Sequence, residues 1–279
     1  MNTNTRNKTH KELAAMNPKE FRMMVRKNEW ERHPSDSEYY CNGYTQHGVA
    51  ILPRDYALEF LTFCLHNPRA FPVADVCEPG SPHPLFLAPE ADIRTDCGQY
   101  NVYKNGVLID EPTDINQYWQ DDMVAFFLGC INPFLQVLRD RHVKFRFVGV
   151  YTSNVRLTPF GRFKCANMIA VPILFSTSLD AVQAISIATR LPVAHGYPIH
   201  IGDPAEIGID LLNPDILNPQ GDTKPLPQQP GEVCVAWPGS VTHMNVIQEV
   251  KPSLAMTAKP GMTFVSDRRT EEFQFCFKT

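Results

Sequence analysis

Apolar residues recur along this chain at two periods, and the switches between them mark its elements. Asn17-Pro18-Lys19-Glu20 reads as a capped helix start, and Phe21, Met24 and Val25 follow on one side of that helix. Arg22 and Arg26, four apart, read as a solvated stripe, with an anion contact as the alternative. Residues 31–43 are polar and loop-like. Val49–Pro53 is a short buried strand halted by proline. Residues 54–66 form an amphipathic helix with Ala57, Leu58, Phe60, Leu61, Cys64 and Leu65 as its core stripe, and Phe71–Val76 is the next strand. Tyr100–Ile109 alternates around Asn105-Gly106, a hairpin signal. Thr113–Leu138 carries a helical pattern through Trp119, Met123, Phe126, Phe127 and Ile131, with Pro133 inside it to end or kink the helix. Val143–Val148 alternates as a half-buried strand, and Met168–Phe175 is an apolar strand that Pro172 assigns to an edge or a bulge. Thr177–Leu191 is an apolar helix with Leu179, Val182, Ile185 and Ile187 toward the core. Glu232–Trp237, Thr242–Val250 and Ser253–Ala258 make a strand–helix–strand unit, and Met262–Ser266 is a last strand. Pro79–Pro89 and Asn213–Gly231 are proline-rich loops.

This order of elements is mixed α/β. Residues 98–192 hold a hairpin, two helices and two further strands. They are expected to form a smaller α/β domain inserted into a larger, discontinuous α/β sandwich built from 17–97 and 193–279, with 1–16 as a flexible tail. The chain returns from one to the other at His195-Gly-Tyr-Pro-Ile-His-Ile-Gly-Asp-Pro204, where domain junctions favour pockets. Gly196 and Gly202 permit unusual backbone angles and close approach of a ligand. Asp203-Pro204-Ala205-Glu206 reads as a helix opening, with Asp203 as cap and Glu206 closing a capping box. Such a start attracts anions. The plain reading of the stretch is a cap and a satisfied turn pair of histidines.

Composition narrows the class. Hydrophobic residues make up 43% and charged residues 20%, the proportions of an ordinary soluble globule. The net charge is −4 without a basic block, which points away from nucleic acid and anionic membranes. No apolar run reaches the ~18 residues of a membrane span. The polar N-terminus lacks the apolar core of a signal peptide, so a cytoplasmic protein is expected. Eight scattered cysteines without a Cys-x-x-Cys pair read as reduced thiols. There is no P-loop, dinucleotide fingerprint or zinc motif, so no cofactor is expected. His195, His200 and Asp203 are considered as metal ligands, but no second cluster supports them and no metal is expected. Asp92-Ile-Arg94-Thr-Asp96 reads as a salt-bridged turn, with a bidentate clamp for a substrate carboxylate as the alternative role of Arg94.

The order and spacing of further motifs resemble the hydro-lyase family that includes D-glutamate cyclase. They are Gly43-Tyr-x-Gln46 with Ile51-Leu-Pro53, Asp75-Val-x-Glu-Pro-Gly80, Ala91-Asp-Ile-Arg-Thr-Asp96, Trp119-x-Asp-Asp122, Phe127-Leu-Gly-Cys130, His195-Gly-x-Pro-x-His-Ile-Gly-Asp-Pro204, Pro230-Gly-Glu232 and Pro260-Gly261. The resemblance covers about residues 20–270. It implies a two-domain α/β enzyme that removes water from a small amino acid or carboxylate, as when an amine closes on a side-chain carboxyl to give a lactam. Such chemistry needs donors for the carboxylates, a base for the amine and an acid for the leaving oxygen. On that template His195 or His200 transfers protons, with Asp203 and Tyr151 beside them as catalytic groups. Arg94, Asp96, Asn154, Gln46, Cys130, Gly202 and Trp237 are the candidate substrate-binding residues.

The chain also departs from the family pattern. Gln46-His47-Gly48 stands for Gln-Ala-Asn, and Ile131-Asn-Pro-Phe-Leu135 replaces a run ending in glutamate. Val150-Tyr-Thr-Ser-Asn154 and Ile169-Ala-Val-Pro172 each lack a cation, Thr257-Ala-Lys-Pro-Gly-Met262 lacks two histidines, and a cysteine after Trp237 is missing near Gly239. Each lost guanidinium contact to a carboxylate costs on the order of 1.5–3 kcal/mol of binding. The pocket is therefore expected to be more apolar or refitted. Two alternatives follow: a diverged reaction on an amino-acid-derived metabolite, or a binding protein that keeps the fold. The expected partner is a small-molecule substrate, and self-association is left open.

Overall fold

The structure, a computed structural model, describes residues 8–29, 34–164, 167–213 and 226–274. Residues 1–7, the start of the 31–43 loop, the middle of the 213–231 loop, Cys165 and Cys276 lie outside the described residues; the rest of the expected 1–16 tail is instead a short helix, His10–Ala15, capped by Thr9 and anchored by buried Leu13.

Two antiparallel sheets organise the chain. The first contains β1 (Tyr44–Pro53), β2 (Val73–Val76), β3 (Tyr100–Lys104), β4 (Val107–Asp110), β5 (Met123–Gly129), β11 (Ala255–Ala258) and β12 (Phe264–Arg269). Its order is β2-β5-β1-β11-β3-β4, and β12 pairs with the first half of β1 where β11 pairs with the second. β1 is the centre, running beside β5 from His47 opposite Gly129 to Pro53 opposite Met123. Both faces of β1 are covered. Ala50 and Leu52 pack with Phe60 and Phe63 of α3 (Arg54–His66), whereas Val49 and Ile51 pack with Leu87 and Ala88 of the proline-rich loop and Ile93 just beyond it. The second sheet has the order β6 (Phe145–Phe147), β8 (Asn167–Phe175), β10 (Val233–Pro238), β9 (His200–Ile201), with β7 (Tyr151–Arg156) also on β8. α4 (Asn132–Asp140) and α5 (Ser178–Ala188) cover one face of it. α6 (Thr242–Val250) and the β7–β8 segment pack against the α3 face of the first sheet. Near the N-terminus, α1 (His10–Ala15) and α2 (Pro18–Arg26, capped by Asn17) lie over Val265 of β12.

Several expectations are corrected. The helical pattern over 113–138 resolves into β5 and α4, with Pro133 in the first turn of α4 rather than inside a helix. β5 is buried on both sides, so its apolar run has no alternation to distinguish it from a helix. Leu58 and Leu65 on α3, and Leu179 and Val182 on α5, are exposed. The buried stripe of α5 is Ala181, Ala184 and Ala188, small residues that bring the helix close to the sheet. β8 is a central strand despite Pro172. β7 pairs with β8 up to Ala170 and β6 from Ile173, so the proline falls at the break between them. Glu206 closes no capping box. Asp203 accepts from the Ala205 amide at 2.9 Å and caps a single 3₁₀ turn, Pro204–Ile207.

Residues 98–192 contribute β3–β5 to the first sheet and β6–β8 to the second. Among the described residues no helix is long and apolar enough to cross a membrane.

Candidate functional site

A cavity of about 110 Å³ lies where the two sheets meet. Gly48 of β1 and the β11–β12 turn, through Lys259, Pro260 and Thr263, supply the first-sheet side. Phe147 and Val150, flanking the break opposite Pro172, supply the second-sheet side with Val171. Cys130, Ile131, Asn132 and Leu135 form the start of α4, and Ser240, Val241 and His243 the entry to α6. Most of the wall is hydrocarbon.

The polar groups are fixed by their neighbours. Buried Gln46 donates to the Tyr40 carbonyl at 3.1 Å, while its carbonyl accepts from Asn132 Nδ2 at 2.9 Å and Thr263 Oγ1 at 2.8 Å. It thus positions two wall residues with its own amide satisfied. Thr242 ties α6 to β8 by accepting from the Ile169 amide at 3.1 Å and donating to the Gly239 carbonyl at 2.6 Å. His243 is 2% exposed, and its Nδ1 donates to the Ser240 carbonyl. Because a carbonyl only accepts, the proton sits on Nδ1 and Nε2 keeps its lone pair. That Nε2 is buried and makes no hydrogen bond, with the Val49 backbone also close to the ring. Burial holds the imidazole neutral, with its pKa pushed down to about 4. Burial pushes the Cys130 thiol up to about 11, against the Asn132 amide, the Ser240 hydroxyl and the Ile131 amide, which pull it down. The cavity wall therefore carries a neutral imidazole and a protonated thiol.

Of the residues singled out in the sequence, Cys130 lines this cavity and Gln46 supports it. Trp237 lies behind it, packed between Phe134 and Phe175, with its indole N–H donating to the Gly196 carbonyl at 3.0 Å. The others are elsewhere. His195 is 1% exposed, in a left-handed conformation with φ of 74°, and donates from Nδ1 to the Arg69 carbonyl at 2.7 Å. His200 Nε2 is 2.8 Å from the Asp203 carbonyl and 3.8 Å from the Glu206 carboxylate. Gly202 and Asp203 border a separate surface depression with Gln228 and Glu232. Tyr151 donates to the Val148 carbonyl at 3.2 Å, and Asn154 reaches toward the Glu206 carbonyl. Among the described residues no group of three or more His, Cys, Asp and Glu is placed to hold a metal.

Arg94 and Asp96 have separate partners. Arg94 binds Asp92 through both carboxylate oxygens, at 2.9 and 2.7 Å. Asp96 is fully buried and takes a bidentate pair from Arg26 at 2.9 and 2.8 Å. Arg22 donates to the Val265 carbonyl and to Asp267. The expected solvated stripe is thus the anchor of α2 on the first sheet.

Sequence reasoning passed over His243, Ser240, Asn132, Lys259 and Thr263. One signal was present. Each of the six segments that depart from the family pattern contributes to the wall: Gly48, Ile131 with Asn132 and Leu135, Val150, Val171, Gly239, and Lys259 with its neighbours.

A family model described as D-glutamate cyclase matches residues 124–267. A protein of Geobacillus kaustophilus named "Putative hydro-lyase" is 41% identical over 267 residues, covering 93% of this chain and 97% of that protein. Similarly named proteins of Pseudomonas aeruginosa (38% over 271 residues, 95% and 98% covered) and Bacillus subtilis (38% over 264 residues, 92% and 98% covered) match as fully. A solved nitrogen repressor-like protein of Methanococcus jannaschii aligns over 94% of this chain and 100% of that one at 8% identity and a TM-score of 0.36, too slight a likeness to inform the fold. Identity at this level over nearly the whole length is that of a common family, and the chain belongs to the D-glutamate cyclase family.

Proposed function

We propose that the protein is a lyase that removes water from a small carboxylate held between its two sheets, with His243 as the proton-transfer group. The observation that carries this reading is His243 on the wall of the cavity between the sheets, its Nδ1 held by the Ser240 carbonyl and its Nε2 buried without a hydrogen bond. A neutral imidazole fixed through its other nitrogen can accept a substrate proton, and an anionic ligand beside it would raise its basicity from the low value burial imposes. The leaving oxygen needs a proton in return, and the wall offers the Cys130 thiol and the Ser240 and Thr263 hydroxyls. In this reading the proton-transfer role belongs to His243 rather than His195 or His200. Tyr151 and Asp203 then serve the framework of the second sheet.

The test is incubation of the purified protein with D- and L-amino acids and hydroxy acids, followed by mass spectrometry for loss of about 18 Da. His243→Gln should lower turnover by roughly 10²–10⁴-fold, the usual worth of a general base. Full turnover in that variant would remove the assignment. A second reading, a diverged reaction on an amino-acid-derived metabolite, is favoured by the location of all six departures on the cavity wall. A product of unchanged or increased mass would select it.

A further inference from the structure

Taking the cavity as the site, as proposed above, we infer that its ligand carries a single carboxylate, bound by Lys259, and a predominantly hydrocarbon body without a second anionic group. Two charged side chains border the cavity, Lys259 and Glu38. Glu38 is mostly buried and paired with Arg139, so it offers a second anion no attraction. Lys259 is paired with Glu111 at 2.9 Å, and both side chains are partly exposed. Exposed pairs of this kind are worth about 0–1 kcal/mol, so Lys259 can exchange Glu111 for a bound carboxylate at little cost. The rest of the wall carries no charge: Leu135, Phe147, Val150, Val171 and Val241 supply hydrocarbon, Ser37, Asn132, Ser240 and Thr263 supply uncharged polar groups, and the neutral imidazole and thiol lie at its α4–α6 end. A second carboxylate placed there loses its water without gaining a cation, and an unpaired buried charge is among the most costly arrangements in a protein. An alkyl group in that place gains by burial.

The experiment uses matched pairs that differ by one carboxylate: glutamate against norvaline in both stereochemistries, and 3-hydroxyglutarate against 3-hydroxypentanoate. Binding to the intact protein is measured by calorimetry, and water loss by mass spectrometry. The monocarboxylate of at least one pair should bind at least about tenfold more tightly than its dicarboxylate, the scale of one charge-assisted contact. Lys259→Met should weaken that binding by at least about tenfold with the melting temperature retained, Lys259→Arg should keep it, and Glu111→Gln should strengthen it a few-fold. Equal or tighter binding of the dicarboxylates, or no binding of either class, overturns the inference. Unchanged binding in a folded Lys259→Met variant overturns the role of Lys259. Binding of monocarboxylates without loss of water would sink the proposed reaction and leave this inference standing. Turnover of glutamate or 3-hydroxyglutarate would do the reverse.

Discussion

His243 is set apart from the other buried histidines by its surroundings rather than by its protonation. His47, His195 and His243 are all neutral through burial, with pKa values near 3, 4 and 4, and each has one ring nitrogen without a partner. Only His243 of the three lines the cavity between the sheets. His195 is held against the Arg69 carbonyl, and His47 lies 2.9 Å from the Thr45 hydroxyl. Replacing His195 by Gln should therefore lower stability more than it lowers turnover per folded molecule, while His243→Gln should do the opposite. Parallel melting curves and active-fraction-corrected kinetics on the two variants check this. The sequence placed attention on His195 and His200 because they sit in a dense glycine–proline motif. His243 stood alone on an ordinary helix start, where nothing in the local pattern separates a ligand-facing imidazole from a core one.

The dense motif has an architectural use at the level of elements. The turn Pro192–Ala194 presses on the end of β5 so closely that a Cβ at Gly129 would stand 1.9 Å from the Val193 carbonyl. Beyond it, Gly196 accepts from Trp237, and the amide of Gly202 bonds to the Cys234 carbonyl at 3.0 Å. The stretch thus ties the second sheet to the first beside Cys130. Gly129→Ala should destabilise the protein by at least about 1–3 kcal/mol through overpacking. It should also weaken ligand binding, since Cys130 is the next residue; denaturant unfolding with calorimetry tests both. Asp96 makes a second such tie, holding α2 to the first sheet through Arg26, with Arg22 3.9 Å away. Asp96→Asn should cost about 1.5–3 kcal/mol, the scale of a charge-assisted contact, because the Arg26 side left behind is partly exposed. It should free the N-terminal helices for early proteolysis while β1 stays protected from hydrogen exchange. The Asp92-Ile-Arg-Thr-Asp96 motif was legible as a salt-bridged turn. That Asp96 would turn away from Arg94 to Arg26 was not, because that partner lies 70 residues away.

For the whole molecule, the three depressed histidines couple folding to pH. In the unfolded chain they take up protons near the ordinary value of 6.5, whereas in the folded protein they remain neutral until about pH 3–4. The unfolded state therefore binds more protons in between, and stability falls as pH drops from about 6.5 toward 4. Each histidine contributes up to about 1.4 kcal/mol per pH unit in that window. Urea unfolding midpoints measured between pH 7.5 and 4.5 should decline along this course, and His47→Gln should make the decline shallower. A midpoint independent of pH over that range would contradict the buried neutral state of these rings.

Local chemistry by itself determined much of this protein. Alternation around Asn105-Gly106 specified the β3–β4 hairpin, the Asn17 cap and proline specified the start of α2, and apolar periodicity specified α3. Motif spacing identified the family. Local pattern stopped where burial is two-sided or partners are distant: β5 read as helix because both of its faces are covered, and Leu179 and Val182 of α5 were placed inward although alanines, with Ile185 and Ile187 beside them, make its contact. The cavity is of the same kind. Its wall comes from short pieces scattered from Ser37 to Thr263, and the antiparallel pairing of β1 with β5, β11 and β12, together with the packing of β8 and α6 against that sheet, brings them to one place. A side chain's neighbours across that many residues are set by packing, and only the folded arrangement puts a neutral imidazole on the wall of a cavity.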